Sequence, residues 1–413
     1  MVILINPDRR FFEKFDKSIA FVLGIYPTSN LGAVRNLGRL GVPTIVLDAK
    51  KNQAAFFSKY AKGIFCPHPK YTEEKYIDFL LNIGKQLPRK GILLPTGDTE
   101  TLVLLRHRKR LEEYYQFTMA DYHTVDMLIN KQKFYQLLEK HDIPHPTTFV
   151  PKDEGDVKDA SKDLSYPCIV KPVYPTYFRL DFHTKLFVAS SPKEMISLYS
   201  KAQEKGHEVM LQEIIPGGAQ TMFGFNAYYD KMGVSYGKFT YQRIREWPLG
   251  FGNGCYLQAV EQPTLGQITD SLLQDLGYYG IVDAEFKRDP RDDTFKFIEM
   301  NPRIWMQNSF PSRYGYNLPY LAYLDAVGKH LPEKSMYYPK KNIRWVYFLE
   351  DIQSSQANIE TKTLSFFSWA QTYSVRNEYA VFSWDDPFPF FLLILQSIFP
   401  LFSNLVSRTD TRE

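Results

Sequence analysis

Residues 281–303 read IVDAEFKRDPRDDTFKFIEMNPR and bring together carboxylates, an amide and an arginine. Two alternating runs flank the PRDDT stretch at 290–294, which is strong turn chemistry. In the first run Asp283, Glu285 and Lys287 share one face, with Val282, Ala284 and Phe286 on the other. In the second run Phe295, Phe297, Glu299 and Asn301 face one way, and Ile298 and Met300 the other. A hairpin centred on Asp292 then places Glu285 opposite Glu299 and Asp283 opposite Asn301. Like charges directly opposite one another destabilise a sheet. A hard divalent cation reverses that, because Mg²⁺ takes carboxylate and amide oxygens together with phosphate oxygens. Arg303 continues the same face, within reach of a phosphate or carboxylate. Read alone, the pattern also describes a solvated hairpin whose acids hold nothing.

Such a hairpin needs a scaffold. Residues 18–24 (SIAFVLG), 42–47 and 92–94 are short apolar runs of the buried-strand kind. Leu31, Val34, Leu37 and Leu40 lie between the first two at helical spacing, so the N-terminal block reads as a parallel α/β unit. Open parallel sheets place ligands at the carboxyl ends of their strands, which makes 26–30 and 96–100 candidate ligand loops or else ordinary turns. At about 150 residues per domain, 413 residues suggest two or three domains. We divide the chain into 1–125, 126–330 and an aromatic-rich 331–413, with 152–163 as a polar connecting segment. A hydrophobic content of 44% and a charged content of 23% exclude a disordered chain. The net charge of +4 (50 − 46), with no basic stripe, argues against a nucleic-acid binder. Cys66, Cys168 and Cys255 lie too far apart for a disulfide framework or a zinc site, so a reducing compartment is expected, with Cys168 in the core. The apolar run at the N-terminus is too short for a signal peptide, and export is not expected. The histidines show no metal spacing, and no Gly-x-Ser-x-Gly elbow appears.

Earlier residues give the hairpin a context. Asn130-Lys131 opens a helix (NKQKFYQLLEKHDIPHPTT) whose Phe134, Leu137 and Leu138 recur at helical spacing. Residues 166–172 (YPCIVKP) form a strand with a lone lysine near its end, and 210–217 (MLQEIIPG) a strand running into a turn. This order and spacing, closed by EF…IEMNPR, resembles the ATP-grasp superfamily, and most of all its carboxylate–amine ligase, D-aspartate ligase-like branch. The resemblance covers roughly 18–330 and is densest over 130–305.

The resemblance implies an N-terminal parallel-sheet pre-ATP-grasp domain, then an ATP-grasp α+β domain pair clamping ATP, with a C-terminal extension. It implies that Lys171 and Lys131 meet nucleotide phosphates, Lys171 as a point charge. Glu213 and Ile215 would offer main-chain groups to adenine, with Ile214 helping to line a flat ring pocket. Glu285, Glu299 and Asn301 match the family's magnesium ligands, and Mn²⁺ would suit the same oxygens. Arg303 matches the arginine that steadies the transferred phosphoryl group or the acyl phosphate.

Arg243 and Arg245 sit two apart on a strand and so share a face. They are candidates for binding the carboxylate substrate or the acyl phosphate, or else form a solvated basic face. Residues 250–254 (GFGNG) read as a substrate loop or a plain turn. Two departures from the family stand out. The segment 172–185 (PVYPTYFRLDFHTK) lacks the glycine-rich phosphate-covering loop, so Arg179, His183 and Lys185 are expected to cover phosphate by charge. Gly218-Ala219-Gln220 stands where an acid for the ribose would be, which leaves the ribose unassigned.

From 387 to 407 the chain carries no charge (PFPFFLLILQSIFPLFSNLVS), which is about membrane-spanning length. Pro389, Gln396, Pro400, Ser403 and Asn404 interrupt the run. Acids precede it and arginines follow, so a span from a cytoplasmic body opposes the positive-inside tendency. The expectation is a helix in the membrane interface, or one packed on its own domain or a dimer mate. The expected activity is ATP-dependent amide formation through an acyl phosphate, in the cytoplasm or at the inner face of a membrane. Small carboxylate and amine substrates are expected, in a homodimer. Carboxyphosphate-dependent carboxylation and a non-catalytic nucleotide-binding scaffold are the alternatives.

Overall fold

The apolar runs of the N-terminal block become strands whose residues are all or mostly buried, because helices cover both faces of the sheet they form. The structure is a computed structural model that describes residues 4, 7–24, 26–51, 53–173, 178, 181–332 and 342–396. The strands are β1 (Ala20–Leu23), β2 (Thr44–Asp48), β3 (Lys62–Phe65), β4 (Gly91–Pro95) and β5 (Tyr115–Phe117). All neighbours are parallel, in the order β3-β2-β1-β4-β5. The order reverses between β1 and β4, which opens a crevice at their carboxyl ends. There Asn30 donates to Gly24 O at 2.5 Å and Thr96 Oγ1 donates to Asn30 Oδ1 at 2.6 Å, tying the two loops together.

A second, four-stranded antiparallel sheet contains β6 (Thr148–Phe149), β7 (Cys168–Pro172), β8 (Phe187–Ala189) and β9 (Val209–Glu213), ordered β6-β9-β7-β8. Its own core includes Val157, Cys168, Val170, Met195, Tyr199 and Leu211. The stretch read as a connector is instead a helix over Glu154–Asp163. Asp153 caps it by accepting from Gly155 and Asp156, while Val157 and Ala160 bury one side. Two small apolar residues in a charged segment suffice once a sheet lies beneath them.

The third sheet has seven strands: β10 (Met222–Tyr229), β11 (Ser235–Trp247), β12 (Asn253–Ala259), β13 (Gly280–Arg288), β14 (Phe295–Asn301), β15 (Ile343–Val346) and β16 (Arg376–Tyr379). The order is β14-β13-β10-β11-β12-β15-β16, antiparallel except for the last pair. The C-terminal stretch thus continues this sheet rather than hanging from it. It also clasps the N-terminal block: Arg35, buried in the helix Pro27–Gly38, pairs with buried Asp386 at 3.0 Å, and Arg39 pairs with Asp385 at 2.8 Å. A short helix follows over 388–396. No helix among the described residues is long and apolar enough to cross a membrane. Residues 397–407 of the uncharged run lie outside the described residues.

Candidate active site

The β13–β14 hairpin sets Glu285 directly opposite Glu299 and Asp283 directly opposite Asn301. Beyond Glu299 the register shifts, with Phe286 facing Phe297, so Ile298 is an extra, bulged residue. The bulge corrects the expected alternation. Phe297 does not share the face of Glu299 but is buried against Phe286 and Phe134, with ring centroids at 4.2 and 5.1 Å. The carbonyl of Ile298 accepts from Tyr135 Oη at 2.7 Å, which pins the helix Lys131–Lys140 to the hairpin.

That helix opens on Asn130, whose side chain caps it, and its first residue Lys131 reaches Glu299 at 2.6 Å. Burial would raise the Glu299 carboxyl, but Lys131, Arg303 and Lys171 together hold it down at about 2. Burial opposes the charge on Lys131, and Glu299 outweighs it, so the ammonium is held above its usual range. Lys171 comes from β7 and is 8% exposed. It donates to Gln212 Oε1 at 2.8 Å and Tyr135 Oη at 3.2 Å, and lies 4.6 Å from the Tyr135 ring centroid. Burial, then repulsion by Lys131, pushes its ammonium well below the ordinary lysine range. A polyanion bound beside it would favour its charged form.

Arg303 donates to Asp98 at 2.5 Å and to Asn301 Oδ1 at 3.1 Å. Asp98 stands in the 96–100 loop, so Arg303 joins the acid hairpin to the crevice of the N-terminal sheet. Asp283 accepts from Asn226 at 2.8 Å, Asn301 at 3.1 Å and Tyr241 Oη at 3.2 Å. Burial and the neighbouring Glu285 raise its carboxyl to about 7. Gly224 lies between Glu285 and Tyr241 in register, and a Cβ there would fall 2.1 Å from the Tyr241 ring. The bare backbone lets that ring lie across the strand and reach Asp283.

The two strand arginines part company. Arg243 pairs with Glu285 at 2.5 Å and belongs to the cluster. A register shift follows it, and Arg245 turns instead to buried Asp351 at 2.6 Å, over the Tyr256 ring at 4.1 Å. The expectation that both share a face is corrected by this bulge, and the structure does not bring Arg245 to the acids. Glu213 ends β9; its amide donates to Thr147 O at 3.0 Å and its carboxylate meets Arg291 of the hairpin turn at 2.9 Å. Ile215 is buried and Ile214 half-buried beside it. Lys185 reaches across to the 250–254 loop, 3.4 Å from Phe251 O and from Asn253 Oδ1. Arg179 lies outside the described residues.

Sequence reasoning passed over Tyr135 and Gln212, which hold Lys171. Tyr135 stands beside Phe134 in a helical pattern, where only the apolar positions draw notice. Among the described residues no group of three His, Cys, Asp or Glu is gathered to hold a metal unaided. The donor set nevertheless fits a hard divalent cation. It offers two carboxylates in direct register and an amide, each now partnered by a cationic side chain at 2.5 to 3.1 Å. Mg²⁺ or Mn²⁺ would take over the role that Arg243 and Lys131 play toward those acids.

No family model matches the chain. D-aspartate ligase of Enterococcus faecium (strain Aus0004) is 26% identical over 257 residues, 59% of this chain and 61% of the relative, so the chain spans about three-fifths of that protein's length. Among solved structures, the biotin carboxylase domain dimer of Hydrogenobacter thermophilus 2-oxoglutarate carboxylase, in complex with MgADP, ADP and bicarbonate, superposes with a TM-score of 0.61. It is 17% identical and covers 76% of this chain and 71% of its own. L-amino acid ligase from Bacillus licheniformis gives a TM-score of 0.56 at 17% identity, covering 78% and 76%. The paired-carboxylate hairpin, the lysine strand and this architecture define an ATP-grasp fold. The chain is similar in sequence to that D-aspartate ligase and in fold to these solved structures, all of them members of the ATP-grasp superfamily.

Proposed function

We propose that this protein is an ATP-dependent carboxylate–amine ligase that forms an amide bond and releases ADP and phosphate. The observation that carries the reading is the register of Glu285 with Glu299, ringed by Lys131, Lys171 and Arg303. The similarity to a D-aspartate ligase and to an L-amino acid ligase supports the amide-forming branch. Lys171 and Lys131 would meet the phosphates of ATP, and Glu213, Ile214 and Ile215 its base. Glu285, Glu299 and Asn301 would hold Mg²⁺ or Mn²⁺, which would offset the charge of the phosphate oxygens. A substrate carboxylate oxygen attacks the γ-phosphorus. The bond to the β,γ-bridging oxygen breaks, and ADP leaves with that electron pair. Arg303, held by Asp98, and Arg243 stabilise the charge on the acyl phosphate. The neutral amine then attacks the acyl carbon, phosphate departs and a proton is lost from nitrogen. Positioning and charge account for the catalysis, and no covalent enzyme intermediate is needed.

The similarity to a biotin carboxylase domain supports a second reading, in which bicarbonate is the activated acid. ADP release measured with a panel of amino acids, with and without amines and bicarbonate, separates the two. The ligase reading expects turnover only with a carboxylate and an amine together, unaffected by bicarbonate. Turnover that needs bicarbonate would replace it, and none with any acid would leave a nucleotide-binding scaffold. We place the reaction in the cytoplasm, in keeping with three buried, unpaired cysteines, and propose a homodimer, testable by light scattering.

A further inference from the structure

The proposed nucleotide site has named groups at its two ends and none between them. Lys171, Lys131 and the paired glutamates stand at the phosphate end, and Glu213 and Ile215 at the base end. Lys287 lies between the two. It comes two residues after Glu285 on β13, so the pleat returns it to the same face about 7 Å further along. Beyond it the hairpin turn carries Arg291, which reaches back to Glu213 at 2.9 Å. Across the sheet Lys287 lies opposite Met222, and the next residue, Phe223, lies opposite Gln242. Gln242 donates to Gln220 O at 2.6 Å, which brings the 218–220 stretch to the same end of the sheet.

Lys287 is half-buried, yet its ammonium makes no hydrogen bond or ion pair with any described residue. Burial holds the ammonium below its usual range, with Glu246 opposing that and Arg243 adding to it. The acids around it are already matched. Glu246 accepts from Gly250 N at 2.9 Å and lies 3.6 Å from Arg243, and Asp289 pairs with Arg291 at 2.5 Å. A half-buried ammonium with no partner costs stability, and a ligand that brings acceptor oxygens to it removes that cost. We propose that Lys287 holds the ribose of the nucleotide by donating to its hydroxyl oxygens. The inference rests on the nucleotide reading of the site and adds the sugar contact which that reading lacks. Two observations favour the sugar over a phosphate. Lys171 and Lys131 already supply cations at the phosphate end, and the 218–220 stretch (GAQ) offers no carboxylate for the sugar. An ammonium has three donors and no acceptor, and a ribose hydroxyl oxygen accepts from it readily.

The test is calorimetric titration of the full-length protein with ADP, 2′-deoxy-ADP and 3′-deoxy-ADP in the presence of Mg²⁺. Wild-type protein should bind at least one deoxy analogue more weakly than ADP by about tenfold or more, because a charged donor then loses its acceptor. Lys287→Met should bind ADP about as weakly as wild type binds that analogue, and should no longer distinguish the two. Without nucleotide the variant should melt no lower than wild type, since Lys287 leaves no partner behind. Wild-type protein that binds all three nucleotides equally overturns the proposal alone, as does a variant that keeps the discrimination. A variant that loses affinity equally for all three would place Lys287 on a phosphate, and overturns it too. Wild-type protein that binds no ADP would overturn it together with the nucleotide reading.

Discussion

Glu299→Gln removes the charge that faces Lys131 at 2.6 Å while keeping the side chain's shape. In the folded protein burial would raise this carboxyl, yet Lys131, with Arg303 and Lys171, brings it from an ordinary 4.5 down to about 2. At about 1.36 kcal/mol per pH unit, that displacement corresponds to roughly 3 kcal/mol of stabilisation. The Glu299 side chain is 40% exposed, however, and solvent screening reduces the figure to about 1–2 kcal/mol. Because the folded carboxyl is more acidic than the unfolded one, this stability is fully present above about pH 4.5 and is lost as pH falls toward about 2. Denaturant unfolding of the nucleotide-free protein should therefore find Glu299→Gln less stable by about 1–2 kcal/mol near pH 7, with the gap narrowing near pH 3.5. Equal stability at neutral pH, or a gap indifferent to acid, would refute the assignment of a charge pair here.

If Arg303 meets developing charge as proposed, Arg303→Ala should lower turnover by about 10²–10³-fold with unchanged circular dichroism; near-normal turnover would remove it from the reaction. Lys171 is held below its usual range by burial and by Lys131, and on the proposed reading a triphosphate beside it would favour the charged form. ATP binding at mildly alkaline pH should then take up protons, seen by calorimetry as a heat that varies with buffer ionisation; Lys171→Met should abolish the uptake. Arg245→Ala leaves Asp351 buried and unpaired by its arginine, and should cost about 3–5 kcal/mol in unfolding experiments. Turnover per folded molecule should be retained, and a specific loss of turnover would return Arg245 to the site.

The hairpin was legible because alternation and turn chemistry are local. A centre at Asp292 suffices to pair Glu285 with Glu299 and Asp283 with Asn301. The same reasoning failed one step later, at Ile298, since a bulge is set by what packs beneath it. Here Phe134 and Phe286 draw Phe297 inward, and Tyr135 satisfies the freed carbonyl. Arg243 and Arg245 look equivalent in the sequence; Asp351, 106 positions away from Arg245, makes them different. Glu154–Asp163 has too little apolar surface to announce a helix, and only contact with the second sheet reveals why it forms. Local pattern thus locates the chemical groups, and tertiary packing decides which of them meet.

The central claim is that Glu285 and Glu299 together hold the cation that carries the nucleotide. Mn²⁺ binding followed by electron paramagnetic resonance, with and without ADP, addresses it directly. Wild-type protein should quench the free Mn²⁺ signal far more strongly when ADP is present, and Glu285→Gln and Glu299→Gln should each weaken that binding by about tenfold or more. If both variants bind Mn²⁺ and ADP as tightly as wild type does, the paired glutamates are not the metal site.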